Sequence, residues 1–353
     1  MSEEKREQNA GFSMPITAEA TKATEQAKAT EPREEQEAPP FVAMLNGTAT
    51  NKLTNISTRS NPPTVDAVTG DATINSGELK VFIEKYNDIA GGLRTSTHKL
   101  LDACTIELTR QNNYRGNNEQ INPVVSIPLE HFMQLCGIPL TKPSKDRIRR
   151  RVTDDLDTLY RISLEWTEAV GKKQKDFAKM RLCTYAGVLK GNIRITFSKE
   201  MAEYLTNAYI MQYPMALLKV DERNPNAYHI GRKLLLHNSI DNNQRKGTAN
   251  IISVKCLLEV CPDIPTYEQV LATDRATDRH IKVPLEKALD ALPFIGWEYC
   301  NSRGTPLTKE QAEGTGYTAF SKLYVLYSVK DGIDQTARLE AKAEAKKKRA
   351  RKK

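Results

Sequence analysis

The sequence predicts an α+β fold made of two similar units in tandem. Three observations lead to this prediction. The chain has 353 residues, and 39% of them are hydrophobic, which is enough to fill more than one ordinary core. One order of helices and strands occurs twice, with a period of about 130 residues that suits a duplicated domain. The two ends of the chain also differ in composition from the part between them.

The first end, residues 1–75, is rich in Glu, Thr, Ala, Pro, Asn and Gln and almost free of aromatic residues. It carries 7 Lys/Arg against 11 Asp/Glu. Such a segment buries too little apolar surface to offset the entropy lost on ordering. We therefore expect a disordered leader over residues 1–75, after which "GELKVFIEKYNDI" (77–89) opens the folded part as a short helix or an extended segment.

The first unit is predicted over residues 76–215. It begins with a helix in "TSTHKLLDACTIELTRQ", continues with a strand and helix in "VVSIPLEHFMQLCG", and then has a longer helix in "TKPSKDRIRRRVTDDLDTLYR". Strands follow in "ISLEWTE", "FAKMRLCTYAGVL" and "NIRITFS". The apolar face of the longer helix is expected to consist of Ile148, Val152, Leu156 and Leu159.

The second unit repeats this order over residues 216–330. Its segments are "NPNAYHIGRKLLLHNS", "NIISVKCLLEVCPDIP", "ATDRATDRHIKVPLEKALDAL", "GWEYC" and "KLYVLYS". Cys261 corresponds to Cys136 of the first unit, and Trp297 stands near the place of Trp166. Three helices followed by a small sheet predict the winged-helix variant of the helix-turn-helix in both units. Residues 331–353 are expected to be a basic helical tail.

We expect no catalytic site, no cofactor and no metal. The chain has no GxxxxGK[ST] loop and no HExxH, and its five histidines are far apart in the sequence. The six cysteines form no CxxC pair and are interpreted as reduced thiols, most of them in the core. No apolar run reaches the roughly 18 to 20 residues of a membrane span. A cytoplasmic protein without membrane contact is the expectation.

The third helix of a winged-helix unit enters the major groove, so its exposed side chains are the candidate DNA contacts. In the second unit, Arg275, Arg279 and Lys282 form one stripe beside the apolar face, and a bend caused by Pro284 is expected near His280. The alternative is that the charged repeat neutralises itself through ion pairs along the helix. Arg279, however, has no acidic residue three or four positions away.

In the first unit the candidate contacts are the cations in the N-terminal half of the longer helix, where the helix dipole disfavours positive charge. A solvated charged face is the alternative interpretation. The loop "NNQRKGTAN" (242–250) supplies two further candidates for contact with the DNA backbone, and the tail adds attraction to phosphates or is merely solvated. These helix and loop candidates are Lys145, Arg147, Arg149, Arg150, Arg151, Arg245 and Lys246.

Several segments together resemble a known family. They are "NIRITFS" with the following "YL", "YHIGRKL" (228–234), "ISVKCL" (252–257) and "PLEKAL" (284–289). This pattern resembles the plasmid replication initiators of the tandem winged-helix type, which bind directly repeated origin sequences.

The resemblance implies two winged helices, double-stranded origin DNA with direct repeats as ligand, and no catalytic activity. It also implies host replication initiator and helicase as partners, and a homodimer that represses its own promoter. The chain departs from the pattern by its long leader, its basic tail and an insertion at 299–320. Three alternatives stay open: a two-winged-helix transcriptional regulator, a nucleic-acid-cleaving replication enzyme, and a scaffold without a role on DNA.

Overall fold

The computed structural model describes residues 41–46, 51, 53, 63–76, 79–89, 93–112, 121–170, 174–206, 209–240, 243, 247–248, 250–273, 276–312 and 316–330. Buried apolar side chains from both predicted units belong to one continuous core. Within these ranges, no helix is long and apolar enough to cross a membrane. The expected basic tail at 331–353 lies outside the described residues.

Part of the predicted disordered leader is folded, which corrects the expectation for residues 1–75. Strand β1 (Phe41–Asn46) pairs antiparallel with a strand at Tyr209–Pro214. Strands β2 (Thr64–Val65), β3 (Ala72–Ser76) and β4 (Leu79–Ile83) form an antiparallel meander. Its last strand, β4, pairs with a strand of the first unit at Ile162–Val170. The few apolar side chains of this polar segment that are buried lie in short strands, apart from Leu53, and an average over 75 residues hides them. They are Phe41, Met44, Leu45, Leu53, Ala72 and Ile74.

The first predicted unit contains the helices and strands expected, except that the single strand predicted in "FAKMRLCTYAGVL" is two strands, and one more helix and strand follow at its end. The helices are α1 (Thr95–Asn112), α2 (Leu129–Leu135), α3 (Lys142–Tyr160) and α4 (Lys199–Thr206). The strands are β5 (Val124–Pro128), β6 (Ile162–Val170), β7 (Gln174–Arg181), β8 (Cys183–Leu189), β9 (Asn192–Phe197) and β10 (Tyr209–Pro214).

Two sheets organise this unit. One is three-stranded, antiparallel and ordered β5-β9-β8; the other is five-stranded and ordered β2-β3-β4-β6-β7. The hairpin between β8 and β9 turns at Lys190 and Gly191, whose φ angles are 48° and 78°. Two successive positive φ values suit the twist of a tight hairpin, so a glycine at the second position is physically required here.

Helix α3 forms where the apolar spacing predicts it. Its N-cap Thr141 accepts a hydrogen bond from the Ser144 amide, and Pro143 occupies the first turn, where no backbone donor is needed. The predicted apolar face is confirmed: Ile148, Val152, Leu156 and Leu159 are all buried. Burial of this stripe fixes which side of α3 faces solvent.

The second predicted unit follows with another three-stranded sheet. Its helices are α5 (Pro225–Ser239), α6 (Val254–Leu258), α7 (Tyr267–Ala272), α8 (Val283–Asp290), α9 (Lys309–Ala312) and α10 (Tyr317–Phe320). Its strands are β11 (Ile251–Ser253), β12 (Ile295–Cys300) and β13 (Tyr324–Val329), ordered β11-β13-β12. The last strand is therefore central, as β9 is in the first unit.

Gly231 of α5 allows close packing against Leu217 and against Leu292, which follows the end of α8. A Cβ atom on Gly231 would lie 2.7 Å from the Leu217 side chain and 3.1 Å from that of Leu292, so only glycine fits without a shift. This is the glycine of the "YHIGRKL" segment. Its role is packing between helices.

Candidate nucleic-acid interface

The reading helix is the third helix predicted for the second unit, in "ATDRATDRHIKVPLEKALDAL" (272–292). It is not one continuous α-helix that begins at residue 272. Helix α7 ends at Ala272, and a π-helical turn (Asp278–Lys282) leads directly into α8. Pro284 has no backbone N–H, and its ring crowds the carbonyl group of His280 four residues earlier. The wider π-turn accommodates both effects at the position where a bend was predicted. Such turns are frequent at functional sites.

Arg279 lies on the side of this helix that faces away from the core. Its side chain is exposed, whereas Ile281, Leu285 and Leu289 are fully buried. Among the described residues, no acidic side chain forms an ion pair with Arg279. His280, in the middle of the turn, is half-buried. The guanidinium group of Arg279 is thus available to an external anion or base edge.

Lys282 has a partner within the protein. Its Nζ donates a hydrogen bond to the Ala312 carbonyl oxygen at 3.1 Å. Ala312 belongs to the insertion between β12 and β13, in which Tyr317 also stacks on Tyr267 of α7 with ring centroids 4.0 Å apart. The insertion therefore contacts both α7 and the start of the reading helix. It is the segment that departs from the family pattern in the sequence.

The candidate cations of α3 divide into two groups. Arg147, Arg149 and Arg150 are exposed, and within the described ranges no ion pair involves them. Lys145, by contrast, forms an ion pair with Glu130 of α2. The Arg151 guanidinium donates to both carboxylate oxygens of Glu222, at 2.5 and 2.9 Å. The first three arginines are the ones that α3 presents to solvent.

Four predicted elements of the interface cannot be placed. Arg275, Arg245, Lys246 and the tail over 331–353 lie outside the described residues. They remain predictions from the sequence.

A buried polar cluster between α1 and α5 was not predicted. Asp102 of α1 accepts a hydrogen bond from the Tyr228 hydroxyl at 2.7 Å and lies 3.4 Å from Arg232 of α5. The rings of His98 and His229 meet edge to face, with centroids 5.4 Å apart. A polar residue recurs at four-residue spacing in each helix, at 98 and 102 and at 228 and 232. This was the available signal, because such pairs share one helix face.

This cluster connects α1 and α5, the first helices of the two predicted units. Glu222, in the connection before α5, forms an ion pair with Arg151 and also lies 3.9 Å from the Lys99 ammonium group. Lys99 also donates to the Val220 carbonyl oxygen. The orientation of α3 is thereby coupled to the segment that leads into the second unit.

Burial shifts the pKa values of the two histidines in the cluster so that their neutral forms are favoured. Burial lowers the pKa of His98 well below its ordinary value and lowers that of His229 to about 4, so both rings are neutral at physiological pH. Burial likewise raises the pKa of Cys136 and of Cys183 to about 12, which makes these thiols poor nucleophiles. The prediction that most cysteines occupy the core is confirmed, since all but Cys256 are buried.

Residues 83–219 match a family described as "Initiator Replication protein, WH1". Eight solved chains match, among them a crystal structure of domains 2 and 3 of RctB, with a TM-score of 0.40 and 9% identity over 77% of this chain and 92% of that chain. No curated protein matches. Residues 83–219 are therefore similar to the WH1 domain of the initiator replication protein family.

Proposed function

We propose that this protein binds double-stranded DNA sequence-specifically at a replication origin with direct repeats, and that it initiates replication of a plasmid or mobile element without catalysis of its own. One observation carries the proposal. Within the segment that matches the initiator family, α3 exposes Arg147, Arg149 and Arg150 to solvent, outside its buried stripe. In a winged-helix unit the exposed face of this helix meets the major groove.

The second unit, over residues 216–330, is proposed to be a second winged helix and the main reader. Its sheet has the same strand order as β5-β9-β8, and the π-helical turn that carries the exposed Arg279 leads through α8 to β12. Arg279 is the proposed principal contact, followed by Arg275 and His280, and Lys282 is proposed to support them through its hydrogen bond to the Ala312 carbonyl oxygen. Arg147, Arg149 and Arg150 are proposed for the other half of the site, with Lys145 and Arg151 at its edge.

The proposed partners follow from the same function. An initiator without catalysis needs host replication initiator and helicase to open and unwind the origin, and a homodimer is the proposed form for binding to its own promoter. Arg245, Lys246 and the basic tail are proposed to contact the phosphate backbone. Such contacts strengthen binding without adding sequence information.

The test is selection of sites from a random duplex library by the full-length protein, followed by footprinting on the replicon that carries the gene. The proposal expects one enriched motif, present there as direct repeats spaced by about one or two turns of DNA. Failure to enrich a motif would overturn it. Footprints confined to promoters would identify a transcriptional regulator, and relaxation of supercoiled origin DNA that EDTA abolishes would identify a cleaving enzyme.

A further inference from the structure

Val283 is an exposed apolar side chain on the proposed reading helix. It is 38% exposed, whereas Leu285, Ala288 and Leu289 are completely buried. At about 100° per residue these three lie roughly 140 to 240° around the helix axis from Val283. Val283 therefore lies on the side of the helix opposite these three buried residues.

Two cations lie on the same side of the helix as Val283. Arg279 is four residues before it, across the π-turn, and Lys287 is four residues after it; both are exposed. Residues spaced by four positions share one face of a helix. Lys282, next in sequence to Val283, is directed instead to the Ala312 carbonyl oxygen. The outward stripe thus consists of an arginine, an apolar group and a lysine.

Helix stability gives no reason for valine at this position. A β-branched side chain loses rotamer freedom in a helix and is a weaker helix former than alanine. At an exposed site it also gains little from burial. A ligand that covers Val283 would supply the missing burial.

The helix is held firmly enough to present this stripe in one orientation. The Tyr299 hydroxyl donates to the Glu286 carboxylate at 3.2 Å, and the Trp297 indole N–H donates to Asp290 at 2.9 Å. Both bonds tie α8 to strand β12. Side chains on a supported helix are placed more accurately than side chains on a loop.

We infer that Val283 is a specificity residue that contacts the C5-methyl group of a thymine in the major groove, beside the base that Arg279 reads. The thymine methyl is the one apolar group that a base pair offers there, and a small apolar side chain is its natural partner. The neighbouring arginine matches the acceptor pair of guanine. This inference rests on the proposed function and adds a chemical preference to it.

The test uses the duplex motif that the full-length protein selects, with each thymine replaced in turn by deoxyuridine, which lacks only the methyl group. For the unaltered protein, one such replacement should weaken binding about threefold to fivefold, as expected for one methyl group no longer buried. For Val283→Ala, the same replacement should have no effect. Alanine favours the helix, so the variant should fold, and its thermal unfolding confirms this.

Leu271→Ala is the matched control, because Leu271 is an exposed apolar residue of α7, 58% exposed, outside the reading helix. This control should keep the full deoxyuridine penalty. If no replacement weakens binding, or if Val283→Ala keeps the penalty, the inference is overturned while the proposed function stands. Failure to select any motif would instead count against the proposed function itself.

Discussion

The Asp102 carboxylate and the Arg232 guanidinium lie 3.4 Å apart, and each side chain is only 5% exposed. They belong to α1 and α5, the first helices of the two predicted units. A buried ion pair of this kind contributes little net stability compared with an apolar pair, but it is strongly destabilising when one partner is removed. The packing of α1 against α5 is therefore sensitive to the loss of either partner.

Arg232→Met should lower the free energy of unfolding by about 3 to 5 kcal/mol, because it leaves the Asp102 charge buried without its partner. Urea unfolding measures this. Arg223→Met is the matched control: Arg223 contacts Asp221 at 2.6 Å but is 91% exposed, so stability should not change measurably. A double variant, Asp102→Asn with Arg232→Met, should recover part of the loss. Equal effects of Arg232→Met and Arg223→Met would contradict the assignment of a buried pair.

His229 makes stability depend on pH. The pKa of His229 is lowered by burial to about 4, against about 6.5 in an unfolded chain. Between these values the unfolded state binds a proton that the folded state does not. Stability is therefore complete above pH 6.5 and falls as the pH drops towards 4, by about 1.4 kcal/mol per pH unit for each such histidine.

Unfolding free energies measured between pH 6.5 and 5 check this sign. His229→Gln should make the slope shallower by about one proton, and a second buried ring, His98, contributes in the same direction. Burial raises the pKa of Asp102, which acts in the opposite sense at lower pH. His131→Gln, at an exposed position of α2, serves as control. An unchanged slope in His229→Gln would show that this ring is not neutral in the folded protein.

Arg150 and Arg151 are neighbours in α3 with different expected roles. Arg150→Ala should weaken DNA binding and reduce the slope of affinity against salt by about one phosphate contact. Arg151→Ala should leave that slope unchanged and lower stability by about 1 kcal/mol, because Arg151 is bound to Glu222. Binding titrations at several salt concentrations separate the two. The reverse pattern would place Arg151 on the DNA.

Substitution of Lys282 tests whether the insertion supports the reading helix. Lys282→Ala should reduce affinity for the selected site without reducing the salt slope, because the lost hydrogen bond is to Ala312 and not to a phosphate. Lys282→Arg, which keeps a donor of similar reach, should restore much of the affinity. A salt slope lower by about one in Lys282→Ala would make Lys282 a direct phosphate contact instead.

Structural features that depend on the local spacing of residues could be predicted from the sequence. The buried face of α3 follows from the spacing of Ile148, Val152 and Leu156, and the irregular helix near His280 follows from Pro284. The sequence did not predict that β1 is ordered, because β1 pairs with β10, more than 160 positions later in the chain. Neither composition nor periodicity carries information about such a distant pairing.

The same limit applies to the candidate interface. A helical wheel placed Arg151 with the exposed cations of α3, but its carboxylate partner, Glu222, is 71 positions away. Likewise His98 and His229 were regarded as isolated histidines, although the fold brings their rings together. Exposure could thus be predicted for side chains that have no partner, but not for those with distant partners.

The most direct test of the account is the affinity of Arg279→Ala for the selected duplex, measured beside Arg110→Ala. Arg110 is also an exposed helical arginine, 65% exposed, but it lies on α1 and is paired with Glu107. The account predicts that Arg279→Ala weakens specific binding by about 1 to 3 kcal/mol and relaxes the preference at one base pair, while Arg110→Ala binds normally. Unchanged affinity and preference in Arg279→Ala would contradict the assignment of the reading helix.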